Sequence, residues 1–85
     1  MYINLHKLAN LPVYNESGQK LGRVYDVEID VDTQNVLRYL VRQNILSAKI
    51  LLIQSSQVKA ITAEKMVVFD AAISNLAKVD VAPEE

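Results

Sequence analysis

The sequence has no cysteine and no tryptophan, and it has only two glycines and two prolines among its 85 residues. Without cysteine, neither a disulfide nor a thiolate metal site can stabilise the fold. Glycine and proline are too rare for a low-complexity or disordered chain. Hydrophobic residues make up 51% of the chain and aromatic residues 6%, so the core must be mainly aliphatic. This length predicts one domain, residues 1–85, whose stability comes from burial of apolar side chains.

The chain also lacks an excess of charge of either sign and a long apolar run. Its net charge is −1, with acidic and basic residues mixed along the chain, whereas nucleic-acid binders usually carry a basic surplus. No apolar run approaches the ~20 residues that a transmembrane helix needs, and the N-terminus does not resemble a secretory signal. We therefore expect no transmembrane segment, a cytoplasmic location and no nucleic-acid partner.

What the sequence does contain is a series of short strand-like segments separated by turn residues. They lie at residues 11–14, 20–32, 36–42, 49–53, 58–62 and 65–69. This spacing predicts an all-β fold, a small closed or partly open antiparallel barrel of about six strands. A short helix is predicted from Asp70 to Lys78, with residues 1–7 as a lead-in, a core of about 8–72 and a frayed tail over 79–85.

The strictest pattern lies in residues 25–32, where apolar and acidic residues alternate as in a half-buried strand. The next run, 36–42, predicts its hairpin partner, with Asn35 as the left-handed residue of the turn. The predicted pairs are Val31 with Leu37, Ile29 with Tyr39, Val27 with Val41, Asp30 with Arg38, and Asp26 with Arg42. Apolar side chains would then share one face, and opposite charges the other. Loss of the alternation near Gly22 predicts a bulge or bend there, unless this glycine is a neutral gap.

Two groups of residues are candidates for an interaction surface. The first is the charged face of the hairpin, with Asp26, Glu28 and Asp30 opposite Arg38 and Arg42. Together with Asp32 it could be a solvated face, a partner-binding strip, or a metal or catalytic site. A metal site needs ligands that converge from several directions, whereas a flat strand holds its carboxylates in a line. The second is an apolar group, Ile45, Leu46 and Leu51, which could form an exposed patch or fold over one end of the barrel as a plug.

Several segments resemble the PRC-barrel family, which includes the cytoplasmic domain of the photosynthetic reaction centre H subunit and the C-terminal domain of the ribosome maturation factor RimM. The resemblance covers about residues 8–72. It rests on the spacing of Gly18, Leu21 and Gly22, on the Asp-Val-Glu-Ile-Asp run at 26–30 and on Ser-Gln-Val at 56–58. These are turn, bend and core positions, so the resemblance implies a fold and no particular reaction.

The sequence shows no catalytic, cofactor-binding or metal-ligating set. The only histidine is His6, and neither glycine lies in a phosphate-binding loop or a nucleophile elbow. We therefore predict a non-enzymatic interaction or adaptor domain without a cofactor, which self-associates as a homodimer and binds unidentified proteins. The alternative, by analogy with RimM, is an accessory factor in RNA processing or ribosome assembly. It requires the basic residues Lys20, Arg23, Lys49, Lys59 and Lys65 to converge on one face.

Overall fold

A computed structural model describes residues 1–44, 49–70 and 77–80 of the chain. The elements in these residues are helix α1 (Leu5–Leu8) and strands β1 (Pro12–Asn15), β2 (Lys20–Ile29), β3 (Val36–Arg42), β4 (Lys49–Gln54), β5 (Val58–Ile61), β6 (Met66–Val68) and β7 (Ala77–Asp80). Strands β1 to β6 are the six strands that the sequence predicts. The lead-in contributes the single helical turn α1, which is capped by Asn4, whose side-chain oxygen accepts a hydrogen bond from the amide of Lys7.

The strands form one sheet in the order β5-β6-β1-β2-β3-β4-β7. Its two outer strands are not hydrogen-bonded to each other within the described residues, so the all-β fold is a partly open barrel. The predicted antiparallel arrangement needs one correction, because β1 pairs with β6 in parallel. Hairpins cannot produce that pair, since parallel neighbours require a longer connection. Here β6 returns beside β1 only after four intervening strands.

The core of the protein is almost entirely aliphatic. Its most buried members come from five strands: Val13, Val24, Tyr39, Val41, Leu51, Ile53, Met66 and Val68. Leu8 of α1 and Leu11 complete the cluster, so the lead-in helix covers part of the core. The strand β4 is buried on both faces at Ile50 and Leu51, as its continuous apolar sequence predicts.

The bend predicted near Gly22 is confirmed as a bulge between β1 and β2. Val13 pairs with Gly22 but Tyr14 pairs with Lys20, so one residue of β2 is left over. Gly22 has φ 151°, a backbone conformation that residues with a Cβ rarely adopt. A Cβ at this position would overlap the carbonyl oxygen of Arg42 and lie 2.9 Å from its carbonyl carbon. The absence of a side chain therefore lets β2 and β3 cross closely.

The hairpin of β2 and β3 exists, but its predicted register is wrong. Ile29 pairs with Val36 instead of Tyr39, and Val27 pairs with Tyr39. The loop is wider than predicted because the carboxylate of Asp30 accepts hydrogen bonds from the amides of Asp32 (2.9 Å) and Thr33 (3.2 Å), which ends the strand at Ile29.

Two further features complete the change in register. Gln34, at φ 63°, takes the left-handed position that the sequence assigns to Asn35. One bulge leaves Tyr25 of β2 without a partner in β3, and a second leaves Leu37 of β3 without a partner in β2. The core face of the hairpin accordingly consists of Val24, Val27, Tyr39 and Val41, whereas Tyr25, Ile29, Val31 and Leu37 are exposed.

The C-terminal region also differs from its prediction. Ala77 and Lys78, the predicted end of a helix, belong to β7, and Val79 and Asp80 continue that strand instead of fraying. Strand β7 pairs with β4, whose two apolar faces indicate a central strand. The predicted helical residues 71–76 and the tail 81–85 lie outside the described residues.

Candidate interaction surface

The turn end of the β2–β3 hairpin carries three exposed aliphatic side chains. Val31 is 85% exposed, Ile29 56% and Leu37 39%. All three lie at the turn end of the hairpin, since Leu37 follows Val36, the cross-strand partner of Ile29, and Val31 is two residues beyond Ile29. Scattered exposed aliphatic residues are common, but a group of three at one end of a hairpin is an apolar patch. We call these three residues the hairpin patch.

An ion pair lies next to the hairpin patch. Glu28 and Arg38 are cross-strand partners, and the Nε atom of Arg38 lies 2.9 Å from Oε1 of Glu28. The Nε hydrogen is not directed at that oxygen, so the contact is electrostatic and not a directed hydrogen bond. Both side chains remain partly exposed, at 34% for Arg38 and 51% for Glu28, which leaves them accessible to a partner.

The predicted row of carboxylates is not a row in the structure. Asp26 pairs with Leu40 instead of Arg42, and its carboxylate accepts a hydrogen bond from the amide of Val27 at 2.8 Å. Asp30 lies in the loop, where it caps the turn, and is therefore not opposite Arg38. No group of three or more potential metal-binding side chains occurs in the ranges that the structure describes.

The last member of the predicted charged face, Arg42, has an aromatic partner. Its guanidinium carbon lies 4.1 Å from the ring centroid of Tyr25, a cation–π contact. The bulge at Tyr25 changes the direction of the strand at this point, and it separates Arg42 from Asp26 in the pairing. Sequence alternation alone could not reveal this contact.

The apolar candidates have a different outcome. Ile45 and Leu46 lie outside the described residues, so the choice between patch and plug stays open. Leu51 is a core residue, 3% exposed, between Val41 of β3 and Lys78 of β7 in the sheet. It therefore cannot contact a partner, and the inclusion of Leu51 in a surface patch is a misassignment caused by the double apolar pattern of β4.

A polar cluster that the sequence does not predict joins the β1–β2 turn to the end of β6. Asp70 accepts hydrogen bonds from the amides of Glu16 (2.8 Å) and Ser17 (3.3 Å) and from the Ser17 hydroxyl (2.7 Å). Glu16 accepts one from the Asp70 amide at 3.0 Å and one from Lys59 at 3.0 Å. We call Glu16, Ser17, Lys59 and Asp70 the turn cluster. Glu16 is 54 residues from Asp70 and 43 residues from Lys59 along the chain, so no local pattern signals the turn cluster.

The hydrogen bonds of the turn cluster shift one ionisation equilibrium. The pKa of the Glu16 carboxyl is lowered, first by the hydrogen bond from the backbone amide of Asp70 and then by the hydrogen bond from Lys59. The carboxylate is thus held ionised as part of the fold. Because both of its oxygens are engaged within the protein, the turn cluster is a structural element and not a free acid or base.

Comparisons with known proteins give one family match and no curated relative. Among curated proteins, no match to the chain is found. Among the described residues, no helix is both long and apolar enough to span a bilayer. The family model of the PRC-barrel domain matches residues 1–72, and PRC-barrel domains are generally non-catalytic and often mediate protein interactions. The partly open all-β barrel and this match over most of the sequence show that the chain belongs to the PRC-barrel family.

Proposed function

We propose that this protein is a non-enzymatic interaction domain that associates with a second copy of itself and with other proteins through the hairpin patch. The observation that carries the proposal is the exposure of Ile29, Val31 and Leu37 at one end of the hairpin. Burial of apolar surface is the main driving force for protein association, so covering these three side chains with a partner would stabilise a complex.

The charges beside the hairpin patch support association between identical copies. A two-fold interface brings the same surface together twice, so it must be complementary to itself. Glu28 and Arg38 provide opposite charges side by side, and a two-fold axis near them would place each Glu28 close to the Arg38 of the other copy. Asp26 and Asp30 would lie at the polar rim of such an interface.

Sedimentation velocity at micromolar concentration tests self-association. We expect the wild-type protein to sediment as a dimer and Val31→Lys to sediment as a monomer, because Val31 is the most exposed member of the hairpin patch and lies in a loop. Leu5→Lys is the matched control, since Leu5 is 70% exposed but lies in α1. A monomeric wild-type protein would contradict self-association. An equal loss of dimer in Val31→Lys and Leu5→Lys would contradict the assignment of the interface to the hairpin patch.

The second predicted surface can be tested with the same measurement. Ile45→Asp and Leu46→Asp should weaken assembly without changing stability if these residues belong to the interface. A loss of folding in either variant would instead favour the plug. The cytoplasmic location also stays a prediction, and cell fractionation with immunodetection would test it.

The alternative function in RNA processing or ribosome assembly has less support. One of its five basic residues, Lys59, is paired with Glu16 at 3.0 Å, and the chain has a net charge of −1. A phosphate backbone needs an extended positive surface, and its binding weakens steeply with salt. Strong, salt-sensitive binding of ribosomal RNA fragments would reverse this order of the two proposals.

A further inference from the structure

A groove with positively charged walls lies at the end of the hairpin remote from the hairpin patch. Its volume is about 600 Å³. The residues that line it are Asn10, Lys20, Arg23, Val24, Tyr25, Arg42, Gln43 and Asn44. Three of these carry a positive charge and none carries a negative charge. We call this feature the cationic groove.

The sheet itself forces two of these charges together. Arg23 and Arg42 are direct cross-strand partners, so their side chains leave the sheet on the same face. Like charges at directly opposed positions destabilise a sheet. In the same hairpin, Arg38 instead lies opposite the negatively charged Glu28. Among the described residues, the ion pairs between side chains are those of Arg38 with Glu28 and of Lys59 with Glu16. No carboxylate of these residues therefore pairs with Arg23 or Arg42, unlike the pair at the other end of the hairpin.

Both arginines are nevertheless held in place by neutral groups. Arg23 donates a hydrogen bond from Nη1 to the carbonyl oxygen of Asn10 at 3.0 Å. Arg42 stacks over Tyr25 at 4.1 Å, and its buried Nε has no hydrogen-bond partner in the described part of the chain. A guanidinium that is fixed in position and still has free donors is suited to bind a planar or tetrahedral oxyanion.

We propose that the cationic groove binds a small molecule that carries a phosphate or diphosphate group. Arg23 and Arg42 bind the phosphate oxygens, and Lys20 adds a third positive charge. The anion removes the repulsion between the two arginines, so binding and local stability of the sheet are coupled. The volume of the groove lies in the ordinary range for small-molecule sites. A net charge of −1 favours this ligand class over a long polyanion such as RNA.

The test is a titration of the full-length protein with inorganic pyrophosphate, followed by ¹⁵N NMR at low salt. Saturable shifts should occur at Lys20, Arg23, Tyr25 and Arg42, including the Nε–H signal of Arg42. Arg42→Gln should weaken binding by about tenfold or more, because charge-assisted hydrogen bonds to phosphate are lost. Lys7→Gln is the control, since it removes one positive charge from α1, which lines a separate pocket, and should leave binding unchanged.

A second readout separates binding from a structural role of the arginines. Pyrophosphate should raise the unfolding temperature of the wild-type protein and of Lys7→Gln, but not that of Arg23→Gln or Arg42→Gln. Without pyrophosphate, Arg23→Gln should unfold near the temperature of the wild-type protein, because the repulsion that it removes offsets the hydrogen bond to Asn10 that it loses.

Three results would overturn the proposal. The first is no saturable shift up to about 10 mM pyrophosphate, which corresponds to negligible affinity. The second is equal weakening by Arg42→Gln and Lys7→Gln. The third is binding of a short single-stranded RNA far more tightly than pyrophosphate, which would assign the groove to nucleic acid. None of these results depends on dimerisation through the hairpin patch, so the two proposals can fail separately.

Discussion

Gly22 is the single residue on which the geometry of the sheet depends most. It combines a positive φ of 151° with a backbone contact to Arg42 and Gln43 that leaves no room for a Cβ. Because the obstacle is backbone and not a flexible side chain, the two strands would have to move apart to accept even a methyl group. The residue that follows Gly22, Arg23, pairs with Arg42 in β3.

We predict that Gly22→Ala lowers the free energy of unfolding by about 2 to 4 kcal/mol, from backbone strain and overpacking together. Urea denaturation followed by circular dichroism measures this change. Gly18→Ala is the control, because Gly18 also has a positive φ, 89°, but a Cβ there would meet nothing within 4 Å. It should cost only about 1 kcal/mol. Equal costs for the two variants would show that strand contact does not matter at Gly22.

At the scale of elements, the β2–β3 hairpin shows how two bulges change an interface between strands. Each bulge adds one unpaired residue, so the alternation that predicts a single apolar face is interrupted at Tyr25 and again at Leu37. Both residues are 39% exposed, although their sequence positions match the apolar face. In the hairpin patch, Leu37 is the residue that the second bulge leaves unpaired, whereas Ile29 ends β2 and Val31 lies in the loop.

The observed register predicts which charges are energetically coupled. A double-mutant cycle of Glu28→Gln and Arg38→Gln should give a coupling of about 0.2 to 1 kcal/mol, as is usual for partly exposed pairs. The cycle of Asp30→Asn and Arg38→Gln is the control, and its coupling should be near zero because Asp30 caps the turn. Coupling in the second cycle and not in the first would restore the register expected from the alternation.

At the scale of the whole molecule, the turn cluster fastens two distant parts of the partly open barrel. Glu16 lies in the β1–β2 turn, Asp70 follows β6, and Lys59 belongs to the outer strand β5. Within the described ranges β5 pairs only with β6, so the Lys59–Glu16 pair adds a contact at this edge of the sheet. The β1–β6 parallel pair and the turn cluster therefore hold the same region together.

We predict that the turn cluster makes stability sensitive to acid. The pKa of Glu16 is lower in the folded protein than its ordinary value of 4.5, so the folded state binds fewer protons there than the unfolded state. Its contribution is fully present above about pH 4.5 and is lost as the pH falls through the lower folded pKa. Denaturant unfolding at a series of pH values should therefore show a smaller loss of stability in acid for Glu16→Gln than for the wild-type protein.

Glu64→Gln is the control for this prediction. The carboxylate of Glu64 has no hydrogen bond or ion pair in the part of the chain that the structure describes, and the residue lies in the exposed β5–β6 turn. Its acid profile should follow that of the wild-type protein. A Glu16→Gln profile that is indistinguishable from the wild-type one would show that the turn cluster contributes nothing to acid sensitivity.

Local sequence patterns are enough to predict strands β1 to β6, the all-β class, the aliphatic core and the bend at Gly22, because alternation, turn residues and glycine act over a few neighbouring residues. Contacts made in the folded chain set the hairpin register, the parallel β1–β6 pair, strand β7 and the turn cluster, and no local pattern predicts them. A bulge is set by contacts with the neighbouring strand, and Asp70 meets Glu16 only when β6 lies beside β1. The surfaces on which both proposals rest, the hairpin patch and the cationic groove, arise from those contacts between strands.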